Sequence, residues 1–279
     1  MYHLSPLPLL QSNLIRFVAH LARIPLAPST IRVYLSGLRS WAIDLGLPLP
    51  EVYTPAMSQA LKALERHHVP NQAPPILHAH LFSIISSVPC SRDNLMAMGA
   101  MTLAFFACLR PSEYLLTRGV LSPPSRSDVI FARDFTALDY TVHRSKTSPK
   151  GFQVHVGCSR SPVCAVCIIR SIVYLYPASP SSPLFLNSTN TPLSYSDLAA
   201  KLAFFLRAIG LDPTNFTPHS LRAGSATAAA AAGCSEQEIQ KLGRWASLCY
   251  RRYIRPSKQL QAQLAPKLAS APLSNHLIP

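Results

Sequence analysis

The stretch that decides the fold begins at His219-Ser220-Leu221-Arg222, continues through Gly243-Arg244-Trp245 and ends at Tyr250-Arg251-Arg252-Tyr253-Ile254-Arg255. In a helix, residues three apart share a face, so His219 and Arg222 can point at one anion. A phosphodiester under attack gains negative charge on its non-bridging oxygens, and the forked donors of arginine suit that charge. A tyrosine hydroxyl nearby is a candidate nucleophile.

In order and spacing, these motifs resemble the C-terminal half of the tyrosine recombinase (phage integrase) family. The wording Gly-Arg-Trp-x-Ser and Arg-Tyr-Ile-Arg is most similar to the eukaryotic transposon branch, the crypton and DIRS-like recombinases. The resemblance implies a mainly α fold with a small antiparallel β-sheet, in which a helical core-binding domain precedes an α+β catalytic domain. It also implies DNA recombination and integration in the nucleus.

Composition supports a polyanionic partner. The formal net charge is +14, from 26 Lys and Arg against 12 Asp and Glu, and most of the surplus follows Pro75. Such an excess favours nucleic acid, here double-stranded DNA. A membrane partner is not expected, because the sequence has neither a long apolar run nor a Lys/Arg-rich amphipathic helix, and no signal peptide is apparent. Seven scattered cysteines predict free thiols in a reducing compartment.

The domain boundaries follow from proline positions and apolar periodicity. They predict a helical domain over 1–68 after a short arm, a linker over 69–76, a second domain over 77–256 and a tail over 257–279. The family resemblance implies that the first domain is a DNA clamp and the second the catalytic domain. The clamp has three expected helices: one from Ser12, one capped by Ser29 with an apolar stripe that includes Tyr34 and Trp41, and one over 55–67. Basic side chains off these stripes are either solvated or bound to phosphate. The predicted DNA contacts in the whole chain are Arg32, Arg39, Lys150, Arg251, Arg252 and Arg255.

Arg110 is the first candidate site residue of the catalytic domain. It follows a predicted buried helix capped by Asp93 or Asn94, and an arginine at the end of so apolar a helix needs a partner or a ligand. The plain alternative is an ion pair with Glu113 that only ties two helices together. The phrase Leu-Arg-x-Ser-Glu resembles the family's first-arginine motif. This resemblance implies that Arg110 grips the scissile phosphate and that Glu113 orients neighbouring basic groups.

Three strands are predicted next, over 129–131, 138–143 and 152–156. The last two form a hairpin with Arg144, Lys146 and Lys150 at its tip, where most lysines are merely solvated. Ser-Lys-Thr at 145–147 resembles the family's catalytic hairpin. The resemblance implies that Lys146 is the general acid for the departing 5′ oxygen, with Lys150 as the fallback.

Four residues in this region invite a zinc interpretation: His155, Cys158, Cys164 and Cys167. The last two have ligand spacing, but a second Cys-x-x-Cys pair is absent and residues 163–175 are typical of an apolar helix. Buried cysteines behave as small hydrophobic side chains. The sequence therefore predicts no metal site here.

The remaining elements follow from caps and glycines. A short strand is expected over 184–186, then a helix capped by Ser194 or Ser196. The His219 helix continues through an alanine run to Gly233. Ser235 and Glu238 form a capping box for a short helix that closes at Gly243.

Two tyrosines compete for the role of nucleophile. Tyr253 lies in Tyr-Ile-Arg, which matches the family's nucleophile segment, whereas Tyr250 would share its face as packing. The family has His or Trp directly after the glycine, where it donates to the phosphate. Here that position holds Arg244, and Trp245 comes one later; the wording favours Trp245 and the gap-free count favours Arg244. The predicted catalytic set is Arg110, Lys146, His219, Arg222, Trp245 and Tyr253.

The implied reaction forms a 3′-phosphotyrosyl intermediate and needs neither cofactor nor metal. Strand exchange in the family uses four protomers on two duplexes, so a dimer or tetramer on paired DNA sites is expected. A domesticated, catalytically silent recombinase that only binds DNA is the main alternative. A type IB topoisomerase-like enzyme is a third.

Overall fold

The computed structural model describes residues 10–24, 26–47, 54–68, 73–117, 122–145 and 148–254. The chain divides into two compact units, Met1–Gln72 and Ala73–Pro279. Lys146, Arg255, the N-terminal arm and the tail after Pro256 lie outside the described residues.

The first unit contains three helices, α1 (Gln11–Leu21), α2 (Pro28–Asp44) and α3 (Pro55–His67). Their shared core consists of Leu14, Val18, Leu21, Ile31, Leu35, Met57 and Leu61. Two details of α2 were wrong in the sequence prediction. Ala27 rather than Ser29 is the N-cap, because Pro28, with its preset φ, begins the helix. Tyr34 and Trp41 are exposed, since they flank the narrow apolar stripe instead of lying on it.

The second unit is built around α5 (Arg92–Phe106), which is buried from Asn94 to Phe105. It packs against α6 (Ala165–Leu175), α7 (Tyr195–Ala208) and α8 (His219–Ala231), and α4 (His78–Ser87) packs on α7. The N-cap of α5 is Ser91, whose Oγ accepts from the Asn94 N–H at 3.3 Å. The predicted caps, Asp93 and Asn94, are therefore wrong: they lie in the first turn, and Asn94 donates to the carbonyl of Pro89 instead.

A three-stranded antiparallel sheet, in the order β1-β2-β3, completes this unit. The strands are β1 (Val129–Phe131), β2 (Ala137–Val142) and β3 (Phe152–Gly157), and Tyr140 of β2 pairs with Val154 of β3. The mainly α fold with a small antiparallel sheet is thus confirmed. The predicted strand over 184–186 is wrong: this segment forms isolated bridges through Pro183 and Pro192, and proline cannot extend a ladder because it lacks an N–H.

The last elements place the site. Ser194 caps α7, accepting from the Asp197 N–H at 3.1 Å. Gly224 allows α8 to lie against the chain at Ile76, because a Cβ on Gly224 would come within 1.7 Å of the Ile76 carbonyl oxygen. The helix α9 (Glu236–Gly243) has the predicted capping box. A 3₁₀-helix, Leu248–Arg252, leads to Tyr253. None of the described helices combines the length and apolar character needed to cross a membrane.

Candidate active site

Arg222, in the first turn of α8, lies at the centre of the candidate site and is 1% exposed. Its Nη1 donates to the carbonyl of Cys108 and its Nη2 to the carbonyl of Gly243. The guanidinium therefore joins the loop after α5 to the end of α9. Its Nε has no hydrogen-bond partner among the described residues, so one donor of the fork stays unused. Burial, and the nearby charge of Arg110, lower the pKa of Arg222.

Two aromatic rings cover this guanidinium. The Arg222 Cζ lies 4.4 Å from the ring centroid of Trp245 and 6.0 Å from that of Tyr253. The two rings contact each other at 5.4 Å between centroids. Thr227, one helical turn further along α8, donates from Oγ1 to the Tyr253 carbonyl at 2.9 Å. Cation–π contact and packing thus hold Tyr253 beside Arg222.

The backbone of Gly243-Arg244-Trp245 explains why both candidates, Arg244 and Trp245, reach the site. Arg244 ends α9 in the left-handed conformation, with φ of 54°. A Cβ on Gly243 would come within 1.8 Å of the Trp245 ring, so only glycine lets that ring fold back over the end of α9. Trp245 then covers Arg222, whereas Arg244 reaches Glu113.

A buried carboxylate organises the arginines on the other side. The Glu113 side chain is 0% exposed, and its Oε1 accepts from Nη1 of Arg110 at 2.8 Å. Its Oε2 accepts from the Arg110 backbone N–H at 2.8 Å and lies 3.6 Å from Nη2 of Arg244. Tyr140 donates to the Glu113 carbonyl at 2.7 Å, which anchors the carboxylate's backbone to β2. The ion pair and the orienting role predicted for Glu113 are therefore compatible.

Arg244 is held as firmly as Arg222. Its guanidinium donates to the carbonyls of Ala107 at 3.2 Å and Cys108 at 3.0 Å. It also lies over the Phe152 ring at 4.3 Å. Burial is the main cause that lowers the pKa of Arg244, with Glu113 opposing it. The Cys108 carbonyl thus accepts from two arginines at once.

His219 stands at the exposed start of α8, one turn before Arg222. Partial desolvation by its neighbours, followed by the charges of Arg222 and Arg110, lowers the pKa of His219. A lowered pKa keeps the imidazole neutral at physiological pH, so that it can accept a proton.

The structure thus brings five predicted catalytic residues to one place, together with the supporting pair Glu113 and Arg244. The five are Arg110, His219, Arg222, Trp245 and Tyr253. Tyr250 is fully buried under Trp245, at 6.0 Å between ring centroids, as expected of a packing residue.

The predicted DNA contacts are spread more widely. Arg32 pairs with Glu65 at 2.9 Å, and Arg251 pairs with Glu236 at 2.7 Å. Arg39, Arg252 and Lys150 are exposed.

Sequence reasoning missed the groups that hold the arginines in place. The carbonyls of Cys108 and Gly243 are backbone atoms, which carry no sequence signal of their own. Phe152 was assigned only to a strand, and Thr227 lay unnoticed in an alanine run. The Thr227 hydroxyl, a polar group in an alanine-rich helix, was the one sequence signal of a contact there.

Comparison with known proteins gives one family-model match. Residues 126–259 match the model of the phage integrase family. This part of the chain is therefore similar to the phage integrase family domain. A search of curated protein sequences gave no match.

Several solved structures resemble this chain over most of its length. XerH recombinase bound to a palindromic difH substrate, in a post-cleavage complex, covers 93% of this chain and 70% of its own, at 16% identity and a TM-score of 0.64. The Tn1549 transposon integrase in complex with circular intermediate DNA covers 91% and 84%, at 14% identity and a TM-score of 0.59. A lambda integrase dimer bound to a core site covers 88% and 64%, at 17% identity and a TM-score of 0.58. At these identities the likeness concerns the fold.

Proposed function

We propose that this chain breaks and rejoins DNA by tyrosine attack, as a site-specific recombinase. One observation carries the proposal: the Tyr253 ring packs beside the buried guanidinium of Arg222. The charges of Arg222 and Arg110 also lower the pKa of His219. A phenol next to several fixed cations is placed to attack an anionic phosphodiester. The matching integrase-family model over residues 126–259 supports this choice of chemistry.

The steps follow from the residue types. The Tyr253 hydroxyl oxygen attacks the phosphorus, the bond to the 5′ oxygen breaks, and a 3′-phosphotyrosyl bond forms. The phenolic proton passes to a base, for which the neutral imidazole of His219 is our candidate. The departing 5′ oxygen takes a proton from the general acid, for which Lys146 remains the prediction. A second 5′ hydroxyl then attacks the phosphotyrosyl bond and restores the DNA backbone.

Arg110 and Arg222 would stabilise the charge that develops on the non-bridging oxygens. The unused Nε–H of Arg222 offers a donor for a phosphate oxygen. Because Trp245 and Tyr253 cover this guanidinium, DNA binding would have to move one of these rings aside. In the family, a His or Trp after the glycine donates to the phosphate, and we assign this role to Trp245. Arg244, which Glu113 holds, has a supporting role.

Double-stranded DNA is the proposed partner. The helical unit before Gln72 would grip the duplex together with the catalytic unit, as the predicted clamp. Solved structures of similar fold include complexes with DNA and a dimer on a core site. Assembly of two or four copies on paired sites follows by analogy. The crypton/DIRS-like branch and the nuclear location stay predictions from the sequence motifs.

The test is covalent trapping on nicked DNA. A duplex that the protein selects from random sequence is synthesised with a nick beside each candidate cleavage position, so that cleavage releases a short strand and cannot reverse. We expect wild-type protein to form a complex that survives a denaturing gel. Tyr253→Phe should abolish it, because the substitution removes only the attacking oxygen.

Tyr250→Phe is the matched control, since it removes the equivalent hydroxyl three residues away. It should keep covalent trapping near the wild-type level. If wild-type protein binds the duplex but never becomes covalently attached, the chain is a silent DNA-binding module. If Tyr250→Phe abolishes trapping and Tyr253→Phe does not, the nucleophile assignment is wrong.

A further inference from the structure

Three cysteines converge where β3 meets α6. Cys158 directly follows β3, Cys164 is the N-cap of α6, and Cys167 lies in its first turn. The Sγ atoms of Cys158 and Cys164 are 3.4 Å apart, and those of Cys158 and Cys167 are 3.7 Å apart. All three sulfur atoms lie within 4.8 Å of one another.

The backbone fixes this arrangement. The Cys158 N–H donates to the Thr136 carbonyl at 2.7 Å, which continues the β2–β3 pairing by one more residue. The Cys164 N–H donates to the Ser161 carbonyl at 3.0 Å and closes the turn before α6. Between them, Arg160 adopts a left-handed φ of 52°. The sulfur atoms are therefore brought together by secondary structure, not by three freely rotating side chains.

The spacing fits a tetrahedral thiolate site. With a zinc–sulfur bond of about 2.3 Å, two ligands at neighbouring corners of a tetrahedron lie about 3.8 Å apart. The two short sulfur–sulfur distances, 3.4 and 3.7 Å, are close to that edge. Thiolates also select zinc-type cations, because calcium and magnesium prefer oxygen ligands.

The cluster lies at the edge of the hydrophobic core, where Cys158 and Cys167 pack against it. Cys164 is buried, whereas Cys158 and Cys167 are only half-buried, so one side of the cluster remains open to solvent. A fourth ligand can therefore enter as water. His155, which the sequence grouped with these cysteines, instead pairs through Nδ1 with Asp139 at 2.8 Å.

We propose that Cys158, Cys164 and Cys167 bind one zinc-type divalent cation, which ties the end of β3 to the start of α6. Water completes the tetrahedron. This inference differs from the sequence prediction, in which the three residues pack as small hydrophobic side chains. It does not depend on the proposed DNA chemistry.

Cobalt(II) is the probe, because its spectrum reports both thiolate ligands and coordination geometry. The full chain, without a polyhistidine tag and reduced with a phosphine, is titrated with cobalt(II) and then with zinc. We expect one equivalent to give sulfur-to-cobalt charge-transfer absorption and intense tetrahedral d–d bands, both erased by zinc. Zinc should also raise the thermal midpoint of unfolding.

Variants locate the ligands. Cys158→Ser and Cys167→Ser should each weaken zinc binding at least about 100-fold. Loss of a residue that only supports a ligand weakens metal binding by about 10- to 100-fold. The matched control replaces the three exposed cysteines elsewhere, Cys90, Cys234 and Cys249, with serine, and should bind as the wild type does.

Three results would overturn the site. The first is wild-type protein with titratable thiols that gives no charge-transfer band. The second is unchanged cobalt binding in Cys158→Ser and Cys167→Ser. The third is a disulfide within the cluster, detected by alkylation and mass spectrometry in protein isolated without added oxidant.

Discussion

Two arginine–glutamate pairs, one in each unit, have nearly the same length and very different surroundings. Arg32 and Glu65 lie 2.9 Å apart, with side chains 40% and 47% exposed. Arg110 and Glu113 lie 2.8 Å apart, at 19% and 0%. An exposed pair contributes about 0–1 kcal/mol, whereas removing one partner of a buried pair costs about 3–5 kcal/mol. The same contact is thus nearly dispensable in the first unit and structural in the second.

Arg222 and Arg244, unlike Arg110, are held mainly by backbone carbonyls. Arg222 and Arg244 both donate to the Cys108 carbonyl, and among the described residues the carboxylate that pairs with Arg244 is Glu113. Backbone carbonyls fix the position of a guanidinium without neutralising it. The net positive charge that remains can be offered to an anion.

The largest effect is expected when the forked guanidinium of Arg222 is replaced by a side chain of the same charge. Arg222→Lys should reduce covalent trapping on nicked DNA by about 100- to 1,000-fold, the loss typical of one preorganised donor to a transition-state oxygen. An ammonium cannot bridge the carbonyls of Cys108 and Gly243 and also face a phosphate. Arg32→Lys, at an exposed pair, should change trapping less than about threefold. Equal losses in both variants would contradict the comparison.

The next effect is on stability. Glu113→Gln should destabilise the second unit by about 3 kcal/mol, because Arg110 and Arg244 lose their buried counter-charge. Glu65→Gln should change the first unit by less than about 1 kcal/mol. Trp41 and Trp245 are the two tryptophans of the chain and lie one in each unit. Urea unfolding followed by fluorescence can therefore report each unit separately. The Trp245→Phe background leaves Trp41 to report the first unit, and the Trp41→Phe background leaves Trp245 to report the second.

Two glycines should respond with opposite signs. Gly243→Ala should destabilise the second unit by about 1–3 kcal/mol, because the new Cβ would strike the Trp245 ring. Gly37, inside α2, has nothing within 4 Å of an added Cβ. Gly37→Ala should therefore stabilise the first unit by about 0.5–1 kcal/mol through helix propensity. The same fluorescence titrations measure both, and a stabilising Gly243→Ala would contradict the packing described for Trp245.

The smallest effect concerns pH. The pKa of His219 is lowered from 6.5 in the folded protein, so below that value the unfolded chain binds more protons at this position. Stability should therefore fall as pH drops from about 6.5 through the folded pKa. His219→Gln removes this titration, so wild type should lose more stability than the variant between about pH 7 and 5. An equal loss of stability in wild type and in His219→Gln between these pH values would contradict the lowered pKa of His219.

The sequence predicted most helices because their signals are local. The α3 bounds, the Ser235–Glu238 capping box and the left-handed Gly233 just after α8 all depend on residues within a few positions of one another. Errors arose where two local signals competed. Ser29 lost to Pro28 as the start of α2, and Asp93 and Asn94 lost to Ser91 at α5.

The candidate site was predictable only in its residue types. Motif order pointed to Arg110, His219, Arg222, Trp245 and Tyr253, but not to which nitrogen meets which oxygen. It left Arg244 and Trp245 as alternatives, and the left-handed turn at Arg244 brings both to the site. The roles of these residues in catalysis remain predictions for the trapping experiment.

By itself, the sequence determined the helical character, the basic surplus and the order of the recombinase-like motifs, because periodicity, charge and spacing are written along the chain. Tertiary structure alone decided that the carbonyls of Cys108 and Gly243 hold Arg222, that Phe152 supports Arg244, and that three cysteines meet between β3 and α6. Backbone atoms have no sequence signature, and contacts between distant segments depend on how close packing places them.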